Sequence, residues 1–191
     1  MIIRRLAIDE CARLAEIDPS FVTNKVCTIQ TAASIDQCLT AVEVDQPLEV
    51  MPPMFGSTSP DAALWYQDHF ASYDLFIVAE DEGRFVGAAC GMPLTELLPP
   101  EVKFLAMRGE YLLSAFAVDR QHRGRGIGRA MLSEVKSHCA RMGCSMLSLW
   151  TGFDYYPAIA FYQAEGFALS GWQSPPGCKF DECRVYLTWE P

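Results

Sequence analysis

Val118-Asp119-Arg120-Gln121-His122-Arg123-Gly124-Arg125-Gly126-Ile127-Gly128-Arg129 joins an apolar run to a helix through a basic, glycine-rich loop. The run Tyr111–Val118 (YLLSAFAV) is bounded by charges and reads as a buried central strand. Downstream, Ile127, Met131, Val135, Cys139 and Met142 share one face of a helix over Gly126–Met142, and Gly143 is a natural stop. The glycines at 124, 126 and 128 let the backbone approach a ligand, because no Cβ intervenes. The first helical amides lack intrahelical partners and carry about half a positive charge of dipole. Arg120, Arg123, Arg125 and Arg129 surround that point, and six of the fifteen Lys and Arg residues lie between 120 and 141. In a chain of net charge −9 this concentration implies a local anion site.

Two common phosphate loops fail on named residues. A P-loop ends in Gly-Lys-Ser/Thr, and Gly128-Arg129-Ala130 does not. A dinucleotide fingerprint runs GxGxxG with an acid about 20 positions later, whereas this chain runs GxGxG and has Met-Leu-Ser-Leu-Trp at 146–150. The plain alternative is a solvated basic helix start that binds nothing.

Outward from the loop, Leu75–Glu80 and Arg84–Gly91 read as a hairpin about Asp81-Glu82-Gly83. Met146–Thr151 is a short strand, and Pro157–Ala164 a helix closed by Gly166. Phe167–Gln173 and Arg184–Trp189 are strands. Nearer the start, Leu6–Ile17 has helical spacing and stops before Asp18-Pro19. Phe21–Ala32 and Leu39–Val50 read as strands, Met51–Asp61 as a loop, and Pro60-Asp61 as a helix start ahead of Trp65 and Tyr66, both core candidates. The alternation of strand and helix predicts an α/β fold with a right-handed crossover.

The acidic balance argues against nucleic acid as a partner, since a polyanion needs a basic surface. No apolar run reaches membrane-span length, and the first residues lack the apolar stretch of a signal peptide. Eight cysteines at 11, 27, 38, 90, 139, 144, 178 and 183 contain no CxxC pair and no zinc spacing with the three histidines. The expectation is reduced, mostly buried thiols in a cytoplasmic protein without a metal.

With these residues on the page, the sequence resembles the GNAT acyltransferase superfamily. Its pyrophosphate motif, Arg/Gln-x-x-Gly-x-Gly/Ala after a strand ending in Val, is met by Arg123–Gly128 after Val118. Its second motif, roughly Ala-x-x-Phe/Leu-Tyr-x-x-x-Gly-Phe, is met by Ala158–Phe167. The resemblance covers about residues 73–170, with a weaker echo of streptothricin-acetyltransferase-like members in Asp18–Thr23 and Pro157-Ala158.

It implies one domain over 1–191, a variable part over 1–72 and a coenzyme A-binding core over 73–191. The implied fold is a mixed central sheet of about six to seven strands flanked by helices. The implied donor is acetyl-coenzyme A, and the implied reaction is direct acetyl transfer to a primary amine of a small molecule. Phe116, Ala117 and Val118 would offer backbone groups to the pantetheine and acyl carbonyl. Arg123, Gly124, Arg125, Gly126, Ile127, Gly128 and Arg129 would hold the pyrophosphate. Phe161 and Tyr162 would complete the donor site, Tyr162 giving a proton or hydrogen bond to the departing sulfur. The glutamate frequent four residues before the terminal valine is Ser114 here, so Glu110 is the candidate base, with Asp154 and Glu80 as substitutes. Trp150, Phe153, Tyr155 and Tyr156 either line an acceptor pocket or pack as core. A peptide or protein acceptor, and a coenzyme A-binding protein without catalysis, are the competing readings. A homodimer is expected by analogy only.

Overall fold

The structure, a computed structural model, describes residues 1–30, 34, 37–52, 54–55, 60–94, 109–173 and 183–191. The elements run β1 (Ile2–Arg5), β2 (Phe21–Ile29), β3 (Leu39–Val50), α1 (Pro60–Asp68), β4 (Leu75–Asp81), β5 (Arg84–Pro93), β6 (Glu110–Val118), α2 (Ile127–Arg141), β7 (Met146–Gly152), α3 (Tyr156–Ala164), β8 (Ala168–Gln173) and β9 (Arg184–Trp189). Seven strands form a mixed sheet in the order β1-β4-β5-β6-β7-β9-β8, and β2 pairs with β3 in a separate two-stranded sheet. The α/β fold and the strand count are those expected. The helical spacing of Leu6–Ile17 becomes a 3₁₀ run over Ile8–Glu16. Cys178 and parts of the 51–61 loop lie outside the described residues.

The chain divides into two compact units, residues 1–20 with 51–147 and 191, and residues 21–50 with 148–190. In the first, β4 and β5 meet at a two-residue turn in which Glu82 and Gly83 take φ of 48° and 78°. Positive φ at both turn residues matches the twist of the flanking strands. On one face of the hairpin, Phe76, Val78, Phe85, Ala88 and Cys90 are buried with Phe55, Tyr66 and Leu14 in one core. Phe76 is at its centre, with the rings of Phe55, Tyr66, Phe70 and Tyr73 within 6.2 Å. Helix α2 lays Ile127, Met131, Leu132, Val135 and Cys139 over β4, β5 and β6. It ends where Gly143, at φ 67°, lets its own amide reach Ala140 O at 3.1 Å and the Cys144 amide reach Cys139 O at 3.0 Å.

Strand β1 has no counterpart in the sequence reading, because Arg4 and Arg5 interrupt its apolar run. It pairs antiparallel with β4 from Ile2↔Glu80 to Arg5↔Ile77. Arg4 is accommodated by bonds of 2.7 Å to both oxygens of Glu10 and 2.8 Å to Glu80. Trp65 is a correction: it is 49% exposed, stacked on His69, while Tyr66 is buried. Neighbouring helical residues do not face the same way, so only one of the pair reaches the core.

In the second unit, β2 and β3 pair from Phe21↔Val50 to Ile29↔Leu39 with an irregularity between Thr23 and Lys25. Helix α3 packs on β2. Phe153 ties this unit together, accepting the Cys27 amide at 2.8 Å and donating its own to Cys183 O at 3.3 Å.

Between β5 and β6 the register slips. Cys90 pairs with Ala115 but Gly91 pairs with Leu113, so Ser114 is the extra residue of a bulge and stands exposed. A Cβ on Gly91 would lie 2.6 Å from the buried Tyr111 ring and 2.8 Å from Leu112 O. Gly91→Ala is therefore expected to cost roughly 1–3 kcal/mol, read as a lower midpoint in chemical unfolding. A second expectation concerns Glu10. Its hydrogen bonds from Arg4 hold its carboxyl at about 2, against an ordinary 4.5. The stability it adds is complete above the ordinary value and is lost as pH falls toward the depressed one. Glu10→Gln should flatten the fall of Tm between about pH 5 and about pH 2; an unchanged slope would remove the assignment.

Candidate active site

Side chains alternate along β6: Tyr111, Leu113, Ala115 and Ala117 are buried, while Ser114 is exposed and Phe116 and Val118 are half-buried on its opposite face. Ala117 is thus part of the core through its methyl group, and any service to a ligand comes from its backbone. The strand ends at Asp119, a buried carboxylate that organises the turn after it. Asp119 accepts the Gln121 amide at 3.0 Å, His122 Nδ1 at 2.7 Å and the Asp18 amide at 3.0 Å. Although burial works against its charge, these donors hold its pKa below the ordinary range.

Beyond a single 3₁₀ turn at Arg120–His122 the loop reverses twice. Gly124 and Gly126 take φ of 74° and 83°, the left-handed region that suits glycine. A Cβ built on either meets no atom within 4 Å. The space over the loop is open, and the conformation alone demands glycine there. No side chain caps α2 at Gly126. Its first internal bond joins the Ala130 amide to Gly126 O at 3.0 Å, so the amides of Ile127, Gly128 and Arg129 precede it. The side chain of Ile127 is buried and anchors the first turn. Gly128 belongs to the helix itself, so only two of the three glycines shape the reversal.

The basic side chains of this loop differ in their use. Arg120, Arg123, Arg125 and Arg129 are all exposed, Arg125 lying 3.4 Å from Asp81, and they differ in what their side chains bond. All three nitrogens of Arg123 donate to carbonyls: Nε to Val118 O at 3.0 Å, and the terminal nitrogens to Ser20 O and Pro19 O, each at 2.7 Å. The residue is exposed at the surface, yet partial desolvation of its guanidinium lowers its pKa. The loop as a whole suits a diphosphate: glycine-lined, open, and fronted by helix amides and exposed guanidinium groups.

Glu110 is not brought to this end of β6. It opens the strand, six residues before Phe116, a separation of roughly 20 Å at about 3.3 Å per residue. Glu80 is engaged by Arg4.

In the second unit, α3 begins with Pro157 in its first turn and buries Tyr162 to 6% exposure. The Tyr162 ring meets Phe161 at 5.3 Å and Phe167 at 5.4 Å, both edge-on. Burial pushes its phenol pKa up, so the group stays protonated at neutral pH and can donate. The aromatic group after β7 divides. Phe153 is core, and Trp150 is 53% exposed with the Arg184 guanidinium 5.3 Å from its ring. Tyr155 meets Phe21 edge-on at 5.5 Å, and Lys25 lies 5.8 Å from the Tyr156 ring. In the sequence Asp18-Pro19 reads as a helix stop and as part of the weak streptothricin-type echo, and nothing singles out Asp119. The signal available for both was a lone acid in an apolar or turn setting, which does not distinguish a structural carboxylate from a solvated one.

Among the described residues, no three His, Cys, Asp or Glu side chains gather as a metal site, and no helix is long and apolar enough to cross a membrane. Comparison with known proteins agrees with the geometry of the loop. Residues 44–167 match the acetyltransferase (GNAT) family. N-acetyltransferase family 8 member 2 of Rattus norvegicus is 32% identical over 105 residues, covering 55% of this chain and 43% of that protein. The chain thus spans less than half the length of that relative. Among solved structures, nourseothricin acetyltransferase is similar with a TM-score of 0.70 at 20% identity, covering 99% of this chain and 97% of that one. A Bacillus anthracis protein assigned as a streptothricin acetyltransferase, in complex with acetyl coenzyme A, has a TM-score of 0.71 at 16% identity, covering 99% and 98%. These two share the fold. With the family match extending over most of its length, from β3 through the glycine loop to the end of α3, the chain belongs to the GNAT acetyltransferase family.

Proposed function

We propose that this chain transfers the acetyl group of acetyl-coenzyme A directly to the primary amine of a small molecule, in the cytoplasm. The observation that carries the reading is the start of α2, where two left-handed glycines with open space beside them lead into a helix whose N-cap residue, Gly126, has no side chain to cap it. In this reading the amides from Gly124 to Arg129, with the side chains of Arg125 and Arg129, hold the diphosphate. The backbone of Phe116, Ala117 and Val118 receives the pantetheine, and the amide of Phe116 or Val118 donates to the acyl oxygen as it gains charge. Tyr162 gives a hydrogen bond to the departing sulfur, with Phe161 beside it. Holding donor and amine together supplies much of the rate. The donor supplies the activated acyl group; the chain supplies position, the oxyanion donor and the phenol.

The amine must lose a proton, since a free alkylamine has a pKa of about 10. The length of β6 separates Glu110 from Phe116, so the proton passes to water at the exposed bulge of Ser114 rather than to Glu110 by contact. Support for a cationic small acceptor comes from the acidic chain and from the nourseothricin and streptothricin acetyltransferases that share its fold. The whole span 1–191 works as one acyltransferase domain, with 73–191 serving the donor and 1–72 the acceptor. The serine at position 114 favours a second reading, a coenzyme A-binding protein without turnover. An assay of free-thiol release with acetyl-coenzyme A and a panel of amines and peptides separates the two, and separates small-molecule from peptide acceptors.

Two variants test the parts. Gly126→Ala places a methyl group in the open space and into left-handed backbone, costing roughly 1–2 kcal/mol of folding. It is expected to weaken acetyl-coenzyme A binding at least tenfold (about 1.4 kcal/mol) by calorimetry; binding like wild type would refute the cradle. Tyr162→Phe is expected to lower kcat roughly tenfold or more with little change in donor affinity, and unaltered turnover would remove the phenol from the chemistry.

A further inference from the structure

The segment Asp18-Pro19-Ser20 is bound to the glycine loop by an exchange of bonds that neither motif contains. Asp119 accepts the Asp18 amide at 3.0 Å, and the Arg120 amide donates to Asp18 O at 2.8 Å. Arg123 donates to Pro19 O and Ser20 O at 2.7 Å each and, through Nε, to Val118 O at 3.0 Å. Inside the segment, Asp18 Oδ1 accepts the Ser20 amide at 2.9 Å, and Pro19 fixes its own φ. One guanidinium therefore joins three carbonyls, from the strand end and from a stretch about 100 residues earlier in the chain. A guanidinium makes such a three-way junction because its donors lie in a rigid plane; an ammonium does not.

We propose that Arg123 is a positioning residue: it clamps Asp18–Ser20 onto the loop and so fixes the direction of the amides that receive the diphosphate. This rests on the reading of that loop as the donor site. The family motif places an arginine at this point; the bonds given above make its side chain a brace for the loop, with ligand contact left to the amides and to Arg125 and Arg129. Asp119 and Pro19 belong to the same clamp, Asp119 by seating the Asp18 amide and Pro19 by stiffening the strap.

The test uses acetyl-coenzyme A binding to the full chain, measured by calorimetry at several salt concentrations, for wild type, Arg123→Lys, Arg123→Gln, Pro19→Gly and Arg125→Gln. Exposed charge contacts weaken with salt, whereas loss of a brace does not change how many such contacts remain. The expected result is that Lys and Gln at 123 weaken binding alike, by about tenfold or more, with the salt dependence of wild type. Pro19→Gly, which leaves every charge in place, weakens binding in the same direction. Arg125→Gln makes the salt dependence shallower. Arg123→Gln combined with Asp119→Asn should cost less than the sum of Arg123→Gln and Asp119→Asn measured singly, since both open one clamp. If Arg123→Lys binds like wild type while Arg123→Gln loses both affinity and salt dependence, the side chain is a phosphate contact and the proposal falls. If every 123 variant and Pro19→Gly bind like wild type, the clamp has no bearing on the donor and the proposal falls as well. Absence of binding by folded wild-type protein is a different outcome: it overturns the coenzyme A reading itself.

Discussion

A helix that starts without a capping side chain must satisfy its first amides by some other means, and the fold around α2 is arranged about that requirement. Left-handed backbone at Gly124 and Gly126 turns the chain into the helix, and the amides of Ile127, Gly128 and Arg129, like those that open any α-helix, precede the first internal bond. Ile127 is buried beneath them, so the turn cannot slide. At the other end, Gly143 closes the helix with two further backbone bonds. The apolar face between holds the helix against β4, β5 and β6. Position of the amides is thus set by core packing along the whole helix and by the turn at its head.

That turn was legible because its requirements are compositional. Glycine is demanded by positive φ, and an apolar residue every third or fourth position is demanded by burial of one face. The hairpin over β4 and β5 was legible for the same reason, its Glu82-Gly83 turn lying between two apolar runs. What was not legible depends on partners distant in the chain. Strand β1 looks charged by itself, and becomes a strand because Glu10 and Glu80 receive Arg4. Trp65 and Tyr66 look alike until the helix axis is known.

The site divides along the same line. Nothing in the local sequence tells that Asp119 is buried or that Arg123 bonds to residues 19 and 20, since both facts are made by a contact over roughly a hundred positions. The slip at Ser114 is likewise invisible until β5 and β6 are paired. Glu110 was attractive as an acid beside an apolar strand, but the extended rise of that strand carries it to the far end. Motif spacing locates a cradle; it does not locate a proton acceptor.

Any ionised sulfur on a protein surface is a competent acyl acceptor toward a thioester. Of the seven cysteines described, six are buried and Cys144 is half-buried. Burial pushes the thiols of Cys27 and Cys139 up to about 11 and about 12. These sulfurs stay protonated at neutral pH and out of reach, and so are poor nucleophiles toward any activated acyl group that meets the protein.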